Sequence, residues 1–283
     1  MTETRTGKRQ TRFYVSPNGV KIHFLEYGDE GPTVLLLPGI TTPAILWSFV
    51  SERIAAYAHV LALDNRGRGL SDQRPGLRYR LEDYAADAAG VIEALALENV
   101  VVLGHSMGAR IGIMLAAEEP QLVSRLVLAD PPISGPGRRP YPNPLQQYLD
   151  NIDKALRGEP LPPSPIYTTE QTLLRSEWIG TCSKEAVIET HGNFHNEDIF
   201  DLMPRIKCPT LLLYAGKGDT IRDEDADEIM GLIPNATKTK LGNVGHMMPW
   251  FDLELFLGSI EGFIKGASPT PDGRTPQRAL AQE

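Results

Sequence analysis

Six stretches of the chain, VLLLPG, HVLALDNRG, NVVVLGHS, RLVLADPP, PTLLLYAGKGD and TKTKLGNVGH, are short runs that stop at turn residues. Near-continuous hydrophobicity, rather than strict alternation, is what strands covered on both faces show. Between the runs lie longer stretches with helical spacing, such as Leu81 to Leu97 and Met107 to Glu118. Strand–helix alternation leaves few options beyond βαβ units and a parallel sheet. Two earlier segments, Phe13–Val15 and Val20–Glu26, flank SPNG, a hairpin signal, and are expected as an antiparallel edge. The expected fold class is therefore α/β, a mostly parallel eight-stranded sheet with helices on both faces.

The rhythm stops after Asp130 and resumes near Ile206. Between them, proline and aromatic residues surround helical pieces at Leu145–Leu156 and Glu170–Ile179. An excursion inserted between two strands of one sheet lies over their carboxyl ends, where open parallel sheets form their ligand crevice. The expected organisation is a core of residues 11–135 and 206–266, a helical lid of residues 136–205 after the sixth strand, and disordered ends at residues 1–10 and 267–283.

The net charge of −8 gives no general attraction for nucleic acid or anionic membrane, so an acidic ligand must be held by local cations. No apolar run is long enough to span a bilayer, and MTETRTGKRQ has no apolar stretch behind it. Cys182 and Cys208 make neither a metal spacing nor a disulfide framework. A cytoplasmic protein with free thiols is expected.

VVVLGHSMGARIG places Gly104-His105-Ser106-Met107-Gly108 between a strand and a helix. G-x-S-x-G in that setting is a nucleophile elbow, whose sharp turn needs glycine on either side and lifts the serine hydroxyl above the sheet. A serine hydroxyl is a poor nucleophile at neutral pH and needs a base. Of six histidines, His246 in LGNVGHMMPW lies just past the last strand, on a loop able to reach the elbow. His23 and His59 fall in or beside strands, and His105 is turned away inside the elbow. His191 and His195 share a helical face but lack the carboxylate that a zinc-hydrolase motif places after the first histidine. No metal or cofactor is called for. The Pro-Gly turn of LLLPGITT offers the Ile40 N–H as an oxyanion donor beside that of Met107. Arg66 and Arg68 in LDNRGRGLSD read as scaffold, bonding carbonyls rather than substrate.

Together these motifs resemble the α/β-hydrolase superfamily from Phe13 to Lys265, with serine, acid and histidine in that fold's chain order. Pro38 stands where many members carry histidine. The resemblance implies a catalytic acid after either the sixth or the seventh strand; Asp130 and Asp219 stand at these two places. LPGITTPAILWSFVSERIA, LADPPISGPGRRPYP and GNVGHMMPW look like the N-formylmaleamate deformylase family, serine hydrolases of bacterial nicotinic acid breakdown. The sister acetamidomethylene-succinate hydrolases share much of the pattern. This resemblance implies Asp130 as the acid, and a carboxylate-bearing amide as the small-molecule substrate. Arg138 and Arg139 after GPG, and Arg175 further on, are candidates to grip the carboxylate, although the first two also read as a solvated pair. Trp47, Trp178 and Trp250 are either pocket walls or core. A small-acid esterase and a ligand receptor without turnover are the alternatives.

Overall fold

Residues 9–16 and 19–266 of the computed structural model are described. The first strand, β1 (Gln10–Val15), and β2 (Lys21–Tyr27) pair antiparallel, as the SPNG signal predicts. Pro17 and Asn18 of that turn, and the two terminal segments of residues 1–8 and 267–283, lie outside the described residues. Gln10, expected in a disordered end, already belongs to β1.

The chain continues through β3 (Thr33–Leu37), α1 (Ser48–Ile54), β4 (His59–Leu63), α2 (Leu81–Ala94), β5 (Val101–His105), α3 (Met107–Glu118) and β6 (Arg125–Ala129). Three helices follow before the next strand, α4 (Leu145–Leu156), α5 (Thr169–Trp178) and α6 (Lys184–Asn196). β7 (Thr210–Ala215), α7 (Asp223–Leu232), β8 (Ala236–Leu241), α8 (Met248–Phe251) and α9 (Leu253–Ile264) complete the described order. The eight strands form one sheet in the order β1-β2-β4-β3-β5-β6-β7-β8, and β2 alone runs against its neighbours.

The period-two geometry of strands sorts the apolar runs onto two faces. Leu35, Leu37, Val102, Leu126, Leu128 and Leu212 pack with α2, α3 and the α4–α6 segment. Val34, Leu36, Val101, Leu103, Val127 and Leu213 pack with α1, α8 and α9. Ile152, Ile179, Val187 and Phe194 of the inserted segment belong to the first of these cores. The insertion is thus welded to the sheet layer by shared apolar burial. β8 differs from the other runs. It is a half-exposed edge strand whose Lys238 and Lys240 pair with Asp227 and Asp223, and edge lysines of this kind discourage strand addition.

Helix ends follow local chemistry. α3 and α4 span the predicted residues, and α5 starts one residue early because Thr168 and Gln171 form a capping box. α2 stops at Ala94 rather than Leu97. There Ala96 takes a left-handed φ of 48°, Leu97 N bonds Ile92 O and Ala96 N bonds Glu93 O. That pair of bonds is a Schellman closure, with alanine where glycine is usual.

The strand order reverses at β3, so the carboxyl ends of β3 and β5 border the crevice where open α/β sheets bind ligands. No described helix is long and apolar enough to cross a membrane.

Candidate active site

Ser106 joins β5 to α3 with φ 55° and ψ −119°, a left-handed conformation that a side chain rarely adopts. Its N–H is held by Ala129 O of β6. The flanking glycines are required by space. A Cβ on Gly104 would sit 2.3 Å from Gly108 O, and one on Gly108 would sit 1.8 Å from Leu37 O. This close approach brings the end of β3, and with it Ile40, beside the elbow. Among the described residues neither the Ile40 nor the Met107 N–H has a backbone acceptor. Met107 opens α3, where amide dipoles favour negative charge.

Asp130 follows β6, also with a left-handed φ, of 50°. Its N–H is fixed by Leu213 O at 2.8 Å, and its carboxylate is fully buried. Oδ1 accepts from Ala215 N at 3.1 Å and Oδ2 accepts from His246 Nδ1 at 2.6 Å. The Thr220 hydroxyl lies 3.3 Å from the same Nδ1, and the shorter partner takes its single proton. With Nδ1 committed, Nε2 is the nitrogen left to exchange a proton with a nucleophile. His246 and Ser106 line one cavity of about 460 Å³, a common size for a small-molecule site.

Asp219, the other expected acid, lies at the mouth of this cavity but is not on the imidazole. Its exposed carboxylate pairs with Arg222, three residues away on the same turn, which lowers its pKa.

His105, inside the elbow, faces away from the serine and donates Nε2–H to the His246 carbonyl at 2.8 Å. It thereby ties the histidine loop to the nucleophile turn. Its Nδ1 is buried without a partner. Burial first, and the neighbouring His246 second, lower its pKa from 6.5 to about 3. Between these values the unfolded chain binds a proton that the folded chain refuses. Stability is therefore expected to fall as pH drops from 6.5 toward 3. By pH 4.5 the loss should reach about 2–3 kcal/mol. Urea midpoints at pH 7 and 4.5 check this, and His105→Gln should flatten the dependence.

The expected carboxylate grips divide. Arg175 on α5 lines the cavity, donating to the Tyr167 hydroxyl at 2.7 Å with its guanidinium over that ring. Arg138 and Arg139 do not line it. Arg138 makes a two-pronged pair with Glu228 of α7 and stacks on Phe200. Arg139 bonds Asp225 of α7 and the carbonyls of Asp219 and Thr220. Both are drawn off by acidic side chains of α7, a contact distant in sequence. The tryptophans fall on the packing side. Trp47 is fully buried and meets Trp250 edge-on at 5.0 Å, and neither Trp250 nor Trp178 lines the cavity.

Arg66 and Arg68 act as read. Arg68 bonds the carbonyls of Ile40, Arg66 and Ala186, which joins the β3 loop to α6, and Arg66 bonds Asp87 and Arg78 O. His191 donates to Asn143 O. His23 and His59 pair with Asp64 and Glu26.

Sequence reasoning passed over Tyr141, Asn143, Tyr148, Tyr167 and Lys217, all of which line the cavity. Tyr141 stood inside the quoted run GPGRRPYP, next to the arginines that drew attention as charges.

The geometry has parallels among known proteins. A model of the alpha/beta hydrolase family matches residues 34–256. The chain is 42% identical over 254 residues to N-formylmaleamate deformylase of Pseudomonas putida, covering 88% of this chain and 95% of that protein. A crystal structure of a variant of the corresponding enzyme, N-formylmaleamic acid deformylase of another Pseudomonas putida strain, superposes with a TM-score of 0.83. It is 40% identical and covers 89% of this chain and all of that one. A 2-(acetamidomethylene)succinate hydrolase of Mesorhizobium japonicum is 39% identical over 101 residues, 36% of each chain. The elbow at the end of the fifth strand, the sheet order around it and these similarities agree: the chain belongs to the alpha/beta hydrolase family.

Proposed function

We propose that this chain is an amide hydrolase that removes the formyl group of N-formylmaleamate, giving formate and maleamate in nicotinic acid catabolism, with Ser106, His246 and Asp130 as its triad. The observation that carries the chemistry is the 2.6 Å bond from His246 to a buried Asp130, in a cavity shared with a serine on a strained turn. The identity with the curated deformylase supports the choice of substrate.

Ser106 Oγ attacks the formyl carbon while His246 Nε2 takes its proton. Asp130 holds the imidazole tautomer and balances the transient imidazolium. The Ile40 and Met107 N–H groups receive the oxyanion. The C–N bond then breaks with its electron pair on nitrogen, which takes the proton from His246, and maleamate departs. Water, deprotonated by His246, attacks the formyl ester on Ser106. Formate leaves and the serine is regenerated. Residues 136–205 act as the lid, since Tyr141, Tyr148, Tyr167 and Arg175 of that segment face the strand ends across the cavity. A reducing compartment such as the cytoplasm suits the free thiols of Cys182 and Cys208.

Arg175 is assigned to the substrate carboxylate. A charge-assisted hydrogen bond contributes about 1.5–3 kcal/mol, so Arg175→Ala should raise KM for N-formylmaleamate by about tenfold or more. A neutral formate ester should suffer far less, and equal losses on the two substrates would remove the assignment. Formate release from N-formylmaleamate by the purified chain tests the substrate itself, and turnover of simple esters alone would refute it. Cleavage of an acetamido dicarboxylate is a second reading, favoured by Lys217, a second cation on the same cavity. The ratio of kcat/KM for the two acids decides between them.

A further inference from the structure

Tyr141 is buried at the start of the inserted segment, yet it lines the cavity. Its ring packs edge-on against Phe194, at 5.2 Å between centroids, and against His191 at 6.0 Å. Its oxygen has two hydrogen-bond partners, Asn143 Nδ2 at 3.1 Å and the Tyr148 hydroxyl at 3.1 Å, and it shares the cavity with Ser106. Counting protons assigns the directions. The Asn143 amide donates to Tyr141, and a phenol has one proton of its own to give. In the proposed reaction Ser106 sends its proton to His246, so Ser106 Oγ is an acceptor in this cavity. With Tyr148 donating to Tyr141 as Asn143 does, the Tyr141 proton is left to turn into the cavity that holds Ser106. Two donors behind the phenol strengthen it as a donor in front. Burial raises the pKa of Tyr141, so the proton stays on at neutral pH.

The side of the cavity matters. The oxyanion donors are backbone groups from the end of β3 and the start of α3. Tyr141 comes from the opposite, inserted segment, and its ring meets that of His246 edge-on, with 6.4 Å between centroids and an angle of 69°. The leaving nitrogen must lie near His246 to receive its proton. Tyr141, whose ring packs against His246 on the cavity that both share with Ser106, is therefore placed on the leaving-group side.

We propose that Tyr141 is a catalytic donor to the leaving group, and that it fits the site to imides, in which a second carbonyl flanks the scissile nitrogen. As the substrate carbon reaches Ser106 Oγ, the Tyr141 proton turns to the oxygen of that second carbonyl. When the C–N bond breaks, its electron pair goes to nitrogen and spreads to this oxygen, while the proton from His246 reaches the nitrogen. Tyr141 keeps its own proton and stabilises the shared charge. This inference rests on the Ser106–His246 mechanism above and deepens it by naming the leaving-group class.

The test is Tyr141→Phe, which keeps the buried ring, assayed for kcat/KM on three substrates. N-formylmaleamate is an imide with a carboxylate, diformylamide is an imide without one, and p-nitrophenyl formate has no second carbonyl. The loss on both imides is expected to exceed the loss on the ester by roughly 10- to 100-fold, expressed mainly in kcat. That is less than a missing oxyanion donor costs, because two atoms share the charge. Equal losses on imide and ester would overturn the inference and make Tyr141 a positioning residue for Ser106. A thermal melt checks the fold of the variant. If it is perturbed, Tyr148→Phe, which leaves the Tyr141 hydroxyl but removes a donor behind it, should show a smaller bias of the same sign, and no bias there also overturns the inference. Wild-type turnover of diformylamide without N-formylmaleamate would refute the maleamate reading and leave that of Tyr141 standing. Turnover of the ester with neither imide would overturn that of Tyr141.

Discussion

Asp130→Asn is expected to lower kcat by about 10³–10⁴-fold while the variant stays folded, whereas Asp219→Asn should change it by less than about threefold. The difference follows from what each carboxylate touches. Asp130 is fully buried, anchored by Ala215 N on one oxygen and bonded to His246 Nδ1 on the other. An asparagine there can present its N–H₂ to Nδ1, which moves the imidazole proton to Nε2 and leaves no base facing Ser106. It also removes the charge that balances the imidazolium. Asp219 offers its exposed carboxylate to Arg222, and exposed pairs of this kind contribute little. Steady-state kcat of the two variants on one substrate is the check. A larger loss for Asp219→Asn would reverse the assignment.

The elbow was readable because its cause is local. Glycines at 104 and 108 are forced because a Cβ there would come within 2.3 Å and 1.8 Å of backbone oxygens, and such steric demands leave a fixed spacing in any sequence that meets them. The faces of β3, β5 and β6 were readable for a similar reason, since strands covered on both sides need apolar residues throughout. His246 was recognisable by its place after the last strand.

The acid was less legible. Asp130 and Asp219 follow the adjacent strands β6 and β7, and either strand end can in principle carry a carboxylate to the imidazole. The choice depends on the left-handed backbone at Asp130 and on the anchoring of its N–H by β7, contacts between segments more than eighty residues apart. Arg138 and Arg139 illustrate the same limit. A pair of arginines after a glycine turn suits a carboxylate ligand, but Glu228 and Asp225 of α7 reach them first. Trp47 was ambiguous because a large ring serves a pocket or a core equally well, and here it fills the layer between α1 and α9. Tyr141 went unnoticed because a tyrosine among prolines carries no spacing signal. Its setting arises only in the fold, which brings Asn143 and Tyr148 onto its oxygen and puts it on one cavity with Ser106.

Ser106→Ala should reduce turnover by about 10⁵-fold or more without loss of fold. The substitution removes one oxygen from a site whose strain and hydrogen bonds belong to the backbone, so the Ser106 N–H bond to Ala129 O and the packing of both glycines are kept. What remains is the binding of substrate and the two oxyanion donors, without a nucleophile. Acid quenching during the first turnover of N-formylmaleamate, followed by mass analysis of the peptide that contains Ser106, examines this step itself. The expected result is one formyl group on that peptide in the wild-type chain and none in Ser106→Ala. Formate released at the normal rate with Ser106 never formylated, or an active Ser106→Ala, would contradict the covalent mechanism.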